Sequence, residues 1–534
     1  MTSSSGPPGK RLRHHIPVRL RHYWKAVVVT IAFLSVLVGV FGTGMVRPYT
    51  TSSAAAVEPE IIQNIAGTKD LFDTSVAHDV TIHFNEANYQ KMLKEYFDSG
   101  EKDYLPATVV IDGTTIDNVG IRLKGNSTLA SLTWNGQRRQ GGRGGGPGGE
   151  RPPGIGDVPG GMQLPEGLPQ PGGRQPGGPG GMPGGGMGGE LKAEEPESLP
   201  WLINFDEYVD GRRYQGHTQI AVRPGTTESS AQLNESLAIS VVNASGEPSQ
   251  RYTYSGLAVN GRTSTPRLLV EYLDEGYASG LGNGALYKAL ASGQFAYQGG
   301  DQTEYGDDFK QINDVGGTDL QPVINLIKWV EDASDEEFDA GLPERLEVAS
   351  FARYLALQNI VMNFDDMAGP GKNYYLWYDL ETRKFTVVSW DLNLAFSGDT
   401  EAGPHDTSRM GPGGPGGGRM PDGGAPSDGG QVPGGAGPPD GAQPPGGARM
   451  MGNKLKDRFL ASSKFKTLYE EQYRQVYAAT LAGGQAEKSL ATIVDSYARN
   501  VGADQSVRTE ADSLRTLLRQ RVSALDADEV VRGQ

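Results

Sequence analysis

The sequence predicts an α+β protein in which strands come first and helices last, preceded by one apolar segment. Three observations carry that expectation. Apolar and polar residues alternate with a period of two in ATVVIDGTTIDNVGIRLKG, and WLINFDEY, TQIAV and RLLVEYL read as further strands. Helical spacing marks Glu344 to Asn363 and again Lys454 to Val531, and no repeating βαβ rhythm joins the two kinds of segment. Of 534 residues, 76 are Gly and 34 Pro, so much of the length cannot be core. The net charge of −15 excludes a general nucleic-acid binder, whose phosphate contacts need a basic surface.

Residues 1–25 form a basic tail with Lys10, Arg11, Arg13, Arg19, Arg21 and Lys25. Ala26 to Val46 then carries no charge and is long enough to cross about 30 Å of hydrocarbon at about 1.5 Å per residue. Only Arg47 is basic just beyond it, so the positive-inside rule predicts a single-pass anchor in the cell membrane, N-terminus cytoplasmic and main domain extracellular. A cleaved signal peptide is the competing reading, with small residues at Ala54 to Ala56, but the apolar run exceeds the usual h-region. Either way, the linker 47–75 and the domain 76–534 are exported. The chain has no cysteine, which removes disulfides, thiol catalysis and thiolate metal sites.

Within the domain, ATVVIDGTTIDNVGIRLKG turns at Asp-Gly-Thr-Thr and reads as a hairpin. Gly/Pro-rich tracts at 135–197 and 403–452 cannot bury enough apolar surface to offset chain entropy, so they read as flexible insertions. Without a strict Gly-X-Y period they are not collagen, and they offer surface for cell-wall or surface partners. Their Ser and Thr are few, notably Thr407, Ser408 and Ser427. Pro343 starts the helix to Asn363, whose apolar face holds Val348, Phe351, Ala352, Leu355 and Met362. NYYLWYD and KFTVVSWD follow as strands joined by LETR, and the C-terminal helices break at Gly483 and Gly484.

Between that helix and that hairpin lies the chemistry. A loop carries Asp365, Asp366, Gly369, Pro370, Gly371 and Lys372, and the hairpin delivers Asn373 at one end and Asp391 at the other. Two carboxylates and an amide oxygen would suit Mg²⁺, in the order found in protein kinases. The plainer alternative is a solvated loop and a strand-end turn. The loop lacks His-Arg-Asp, and Asp366 to Asn373 is longer than D-x-x-x-x-N; an EF-hand loop does not fit either.

Three blocks together resemble the spore coat protein H kinases, usually called CotH. They are ATVVIDGTTIDNVGIRLKGNST, ending in R-x-K-G-N-S; LLVEYLDEGY followed by GALYK; and N-x-D-D with N-Y-Y and W-D-x-N, reaching in all from about Val80 to Arg521. The resemblance implies an atypical protein-kinase-like fold with an N-terminal β-rich part and C-terminal helices. It implies a Mg²⁺-dependent kinase, with Mn²⁺ as the other metal, that moves the γ-phosphoryl of ATP to Ser or Thr of exported proteins. Asp366 or its neighbour Asp365 would orient the acceptor hydroxyl, and Asn373 and Asp391 would hold the metal. Lys124, beside Gly125, and Lys288 would meet phosphate, Glu235 would be the helical acid that pairs with a nucleotide lysine, and Asn393 would support the metal residues. The chain departs from the family at one point: a lysine commonly begins the strand at WLINFDEY, where Pro200 and Trp201 stand here, and the nearest upstream lysine is Lys192. Either Lys124 or Arg223 of IAVRPG substitutes, or the chain is a non-catalytic cell-surface binding or structural protein with the same fold. Tyr374, Tyr375, Trp377 and Tyr378, alternating on a strand, are expected in the core.

Overall fold

The structure is a computed structural model and describes residues 61–126, 128–139, 190–225, 231–315, 317–406, 452–502 and 504–533. Its first half contains β1 (Gln63–Ile65), β2 (Asp79–Phe84), α1 (Glu86–Asp98), β3 (Leu105–Ile111), β4 (Thr114–Leu123), β5 (Leu132–Trp134), β6 (Gln137–Arg138), β7 (Leu191–Lys192), β8 (Trp201–Asn204), β9 (Arg212–Tyr214), β10 (Gln219–Val222), α2 (Leu233–Ala244), β11 (Tyr252–Val259) and β12 (Thr265–Glu271). Seven strands close into a barrel in the order β10-β12-β11-β2-β3-β4-β8, in which β11 and β2 alone run parallel. The expected hairpin is β3–β4: Ile111 faces Thr114, and Asp112 and Gly113 turn with φ of 48° and 82°, as a two-residue type I′ turn requires.

Period-two alternation decides what the barrel keeps inside. Leu123 and Trp201 are register partners on β4 and β8, and both join Val109, Ile121, Ile203 and Val222 in its core. Residues next to them in sequence, Arg122, Lys124 and Arg223, therefore belong to the outer face. A second core lies outside the barrel, where Ala221, Tyr254 and Val270 meet α2 and the helices that follow.

The second half contains α3 (Glu275–Leu281), β13 (Gly284–Ala289), β14 (Phe309–Gln311), α4 (Gln321–Asp332), α5 (Asp335–Gly341), α6 (Val348–Ile360), β15 (Tyr374–Asp379), β16 (Phe385–Ser389), α7 (Lys454–Ala461), α8 (Ser463–Tyr477), α9 (Gln485–Val501), α10 (Gln505–Ala527) and α11 (Glu529–Arg532). A four-stranded sheet, β14-β13-β15-β16, gives one face to the helical core through Tyr287, Leu376 and Val387. Its other face gathers Leu286, Tyr375, Trp377 and Val388 with Trp390. Asp274, buried at the N-cap of α3, joins the halves by accepting from Thr218 N, Thr218 Oγ1 and Gln219 N at 2.7–2.8 Å.

The mixed α+β class is as expected, with 11 α-helices among the described residues, though α1 and α2 interleave with strands rather than following them. The helix expected from Glu344 begins at Val348, because Arg345 O and Glu347 N bond to Phe385 and draw that stretch against the sheet. It ends before Asn363 because Met362 turns left-handed at φ 51°. The Gly/Pro tracts are narrower than predicted: Gln137–Arg138 and Leu191–Lys192 pair with β5, and Gly403 and Asp406 accept from Asn359 Nδ2. The rest of both tracts, and the predicted span from Ala26 to Val46, lie outside the described residues. Among those described, no helix is long and apolar enough to cross a membrane.

Candidate functional site

The hairpin β15–β16 pairs Tyr374 with Ser389, so Asn373 and the Trp390–Asp391 step leave it at the same end. Asp391 adopts a left-handed conformation, φ 53°, and its Oδ1 accepts from Arg223 Nη2 at 2.7 Å. The same Nη2 donates to Oε1 of Glu235, a fully buried residue in the first turn of α2. One guanidinium at the end of a barrel strand thus joins a helical acid to the hairpin acid. Burial raises the Asp391 carboxyl, but Arg223 and Lys124 outweigh it and hold the group down at about 2. Burial pushes Glu235 up against the pull of Arg223. For Arg223 burial acts downward, and the two carboxylates more than reverse it, so the guanidinium stays charged.

Two lysines flank this bridge. Lys124 donates its backbone N–H to Pro200 O at 3.0 Å, so it stands beside the position where the family's strand lysine was sought. Its ammonium lies 5.4 Å from the Trp390 ring centroid; burial, and then the charge of Arg223, push it down to about 7. Lys288, on β13 opposite Tyr375, lies 5.2 Å from Trp390 and 5.7 Å from both Tyr272 and Tyr375. Gly125 follows Lys124 at φ 101°, a value that favours glycine. Lys192 is exposed and pairs with Glu195 at 3.6 Å, so it supplies no charge here.

The adjacent carboxylates of the loop go to different partners. Asp365 accepts from Gly371 N through Oδ1 and from Asn373 Nδ2 through Oδ2 at 2.9 Å. Burial raises its pKa, the Gly371 N–H opposes, and the charges of Asp391 and Asp366 raise it further. Asp366 accepts from Ala368 N at 2.8 Å and forms an ion pair with Lys456 of α7. Asn393 is tied through its backbone: its carbonyl accepts from Asn234 Nδ2 at 2.7 Å. Tyr374, Tyr375 and Trp377 are buried as expected, while Tyr378 is half-buried. Of the predicted residues, then, Lys124, Glu235 and Asp391 share one charged network, Lys288 adjoins it across Trp390, and Asp365 holds Asn373 beside it. Glu235 meets an arginine where a lysine was expected. Lys456 carried no signal, because a Gly/Pro tract separates it in sequence from the loop it serves.

The residues fit a metal nucleotide. Asp391 Oδ2 makes no hydrogen bond among the described residues, and the Asn373 amide turns its nitrogen to Asp365, which leaves its oxygen for a hard cation. No group of three or more His, Cys, Asp or Glu suited to a metal occurs among the described residues, so such an ion would rest on Asp391, Asn373 and phosphate oxygens. Arg223 Nε and Glu235 Oε2 are buried without hydrogen-bond partners among the described residues, leaving polar capacity at the bridge.

None of the curated proteins matches the chain. The family described as CotH kinase protein matches residues 188–525, more than half of the length. That span begins after the β3–β4 hairpin and Lys124, and it takes in Arg223, Glu235, Lys288, Asp365, Asp366, Asn373 and Asp391. Since the matched residues include the carboxylate loop, the hairpin and both ends of the arginine bridge, the chain belongs to the CotH kinase protein family.

Proposed function

We propose that the protein is a membrane-anchored, extracytoplasmic atypical kinase that transfers the γ-phosphoryl of ATP to Ser or Thr of exported proteins. The observation that carries this is the Arg223 bridge from Glu235 to Asp391, beside the Asp365–Asn373 pair. A protein-kinase-like fold accords with a strand barrel bearing two inserted helices, set before a sheet hairpin and a helical half. The uncharged Ala26 to Val46 stretch and the basic residues before it support the anchor and its orientation.

Bound ATP with Mg²⁺, or Mn²⁺, supplies the phosphoryl group and the charge that stabilises its transfer. Lys124 and Lys288 would neutralise phosphate oxygens, and Asp391 and Asn373 would hold the metal, with Arg223 fixing the Asp391 carboxylate. Asp366 orients the acceptor hydroxyl and takes its proton, with Lys456 fixing the carboxylate. Asp365 keeps the Asn373 amide aimed. Positioning and charge are most of what phosphoryl transfer asks of a protein.

The full-length chain, purified in detergent and given labelled ATP with Mg²⁺ or Mn²⁺, should label itself or a generic acceptor, and Asp391→Ala should abolish labelling. Asp366→Asn should stop transfer with nucleotide binding retained, and Asp365→Asn should do less. Absence of both transfer and metal-dependent nucleotide binding would leave the non-catalytic binding protein as the reading.

A further inference from the structure

The site and its surroundings hold more positive charge than a nucleotide explains. Arg223 is already matched by two carboxylates, and Lys124 and Lys288 stand ready for phosphates. Lys102 and Arg122 remain, and neither forms an ion pair with any described residue. Among the described residues the Lys102 ammonium donates only to neutral oxygens, Gly125 O at 2.8 Å and Asn126 Oδ1 at 2.6 Å. The Arg122 guanidinium lies 5.2 Å from the Tyr104 ring centroid and donates to Leu123 O at 3.4 Å. Arg122 and Lys124 share the outer face of β4, because Leu123 between them points into the barrel.

No acid among the described residues pairs with either cation. Glu101, next to Lys102 in sequence, is exposed, and Glu207 near Tyr104 accepts from Asn204 Nδ2. Burial, and then the charges of Arg122 and Lys288, push Lys102 down to about 8, and Glu101 opposes this only more weakly. In a chain of net charge −15, such cations beside Lys124 and Lys288 set up a local attractive field for anions. Lys102 also fastens the Gly125–Asn126 turn that follows Lys124, so an anion bound there would bear on the turn beside the nucleotide cations.

We propose that Lys102 and Arg122 form a second anion subsite, separate from the nucleotide phosphates, which takes a carboxylate or phosphate side chain of the acceptor polypeptide. The proposal rests on the kinase reading, and it names the acceptor class as acidic or already phosphorylated segments.

The test uses the full-length chain and three peptides that share one acceptor serine, flanked by aspartates, by asparagines, or by phosphoserine. The aspartate peptide should exceed the asparagine peptide in kcat/KM by about tenfold, since each cation offers a charge-assisted bond. That ratio should fall toward one in Lys102→Met or Arg122→Met, and as salt rises. A gain with phosphoserine and none with aspartate would assign the subsite to phosphate. Equal use of the aspartate and asparagine peptides, with no gain from phosphoserine, would overturn the proposal, as would variants that slow every peptide alike. Were no peptide phosphorylated, fluorescence anisotropy of the labelled peptides would separate the two ideas. Tighter binding of an anionic peptide, lost in the variants, would keep the subsite and sink the kinase reading; equal binding of all three would sink the subsite.

Discussion

Arg223 sets the electrostatics of the site at the scale of one residue. It is buried between Glu235 and Asp391, and removing it strands a fully buried carboxylate. Arg223→Ala should cost about 3–5 kcal/mol in denaturant unfolding, and adding Glu235→Gln should restore part of that. If the double variant is no more stable than the single one, Glu235 is not what Arg223 neutralises. Lys124 gives a pH signature. Its folded pKa of about 7 lies far below the ordinary lysine value, so the fold binds fewer protons than the unfolded chain from there up to about 10. Stability should therefore rise with pH across that window, and Lys124→Met should flatten the rise. For the same reason, triphosphate binding at pH 8 should take up a proton, readable as a buffer-dependent calorimetric heat that Lys124→Met removes. Both residues were legible as candidates in IRLKGNST and IAVRPG, yet which one meets the helical acid depends on where β10 and α2 pack, and no local pattern carries that.

At the scale of an element, the loop before β15 does the positioning. Gly371 passes so close to the carboxylate that a Cβ there would sit 2.6 Å from Asp365 Oδ2 and 2.8 Å from Asn373 Nδ2. Gly371→Ala should push the Asp365–Asn373 pair apart and lower kcat by at least about tenfold, since small misplacements weigh heavily in transfer chemistry. The melting temperature should move much less; a fall in stability with kcat intact would argue against this role. The hairpin itself was plain from NYYLWYD and KFTVVSWD, because strand alternation is local. The start of α6 was not, because the Arg345–Glu347 stretch is claimed by Phe385, a partner far along the chain.

For the whole molecule, Arg521 is a clamp from the C-terminal helices. It is fully buried on α10 and donates to Asn359 O and Oδ1 of α6 at 3.0 and 2.8 Å, and to Thr400 O and Ala402 O beyond the hairpin. Arg521→Ala should cost at least about 3 kcal/mol through the acceptors it strands. It should also open the 400–406 segment to limited proteolysis; unchanged cleavage there would show that other contacts hold it. The spacing in SLRTLLRQRVSAL marked a helix, but it did not single out its last arginine as a core residue.

The sequence by itself determined the mixed class, the two hairpins, the C-terminal helices and the family. All of these rest on periods of two or 3.6 residues, on turn chemistry, or on short ordered blocks, and each is written within a few residues of itself. The tertiary structure alone decided that the barrel closes, that Arg223 rather than a lysine bridges Glu235 and Asp391, and that Asp365 and Asp366 part company. Those contacts join positions 168 apart for Arg223 and Asp391, and 90 apart for Lys456 and Asp366. Ion pairs of that reach exist only once packing has brought together the elements that carry them, and no window of sequence records which elements those are.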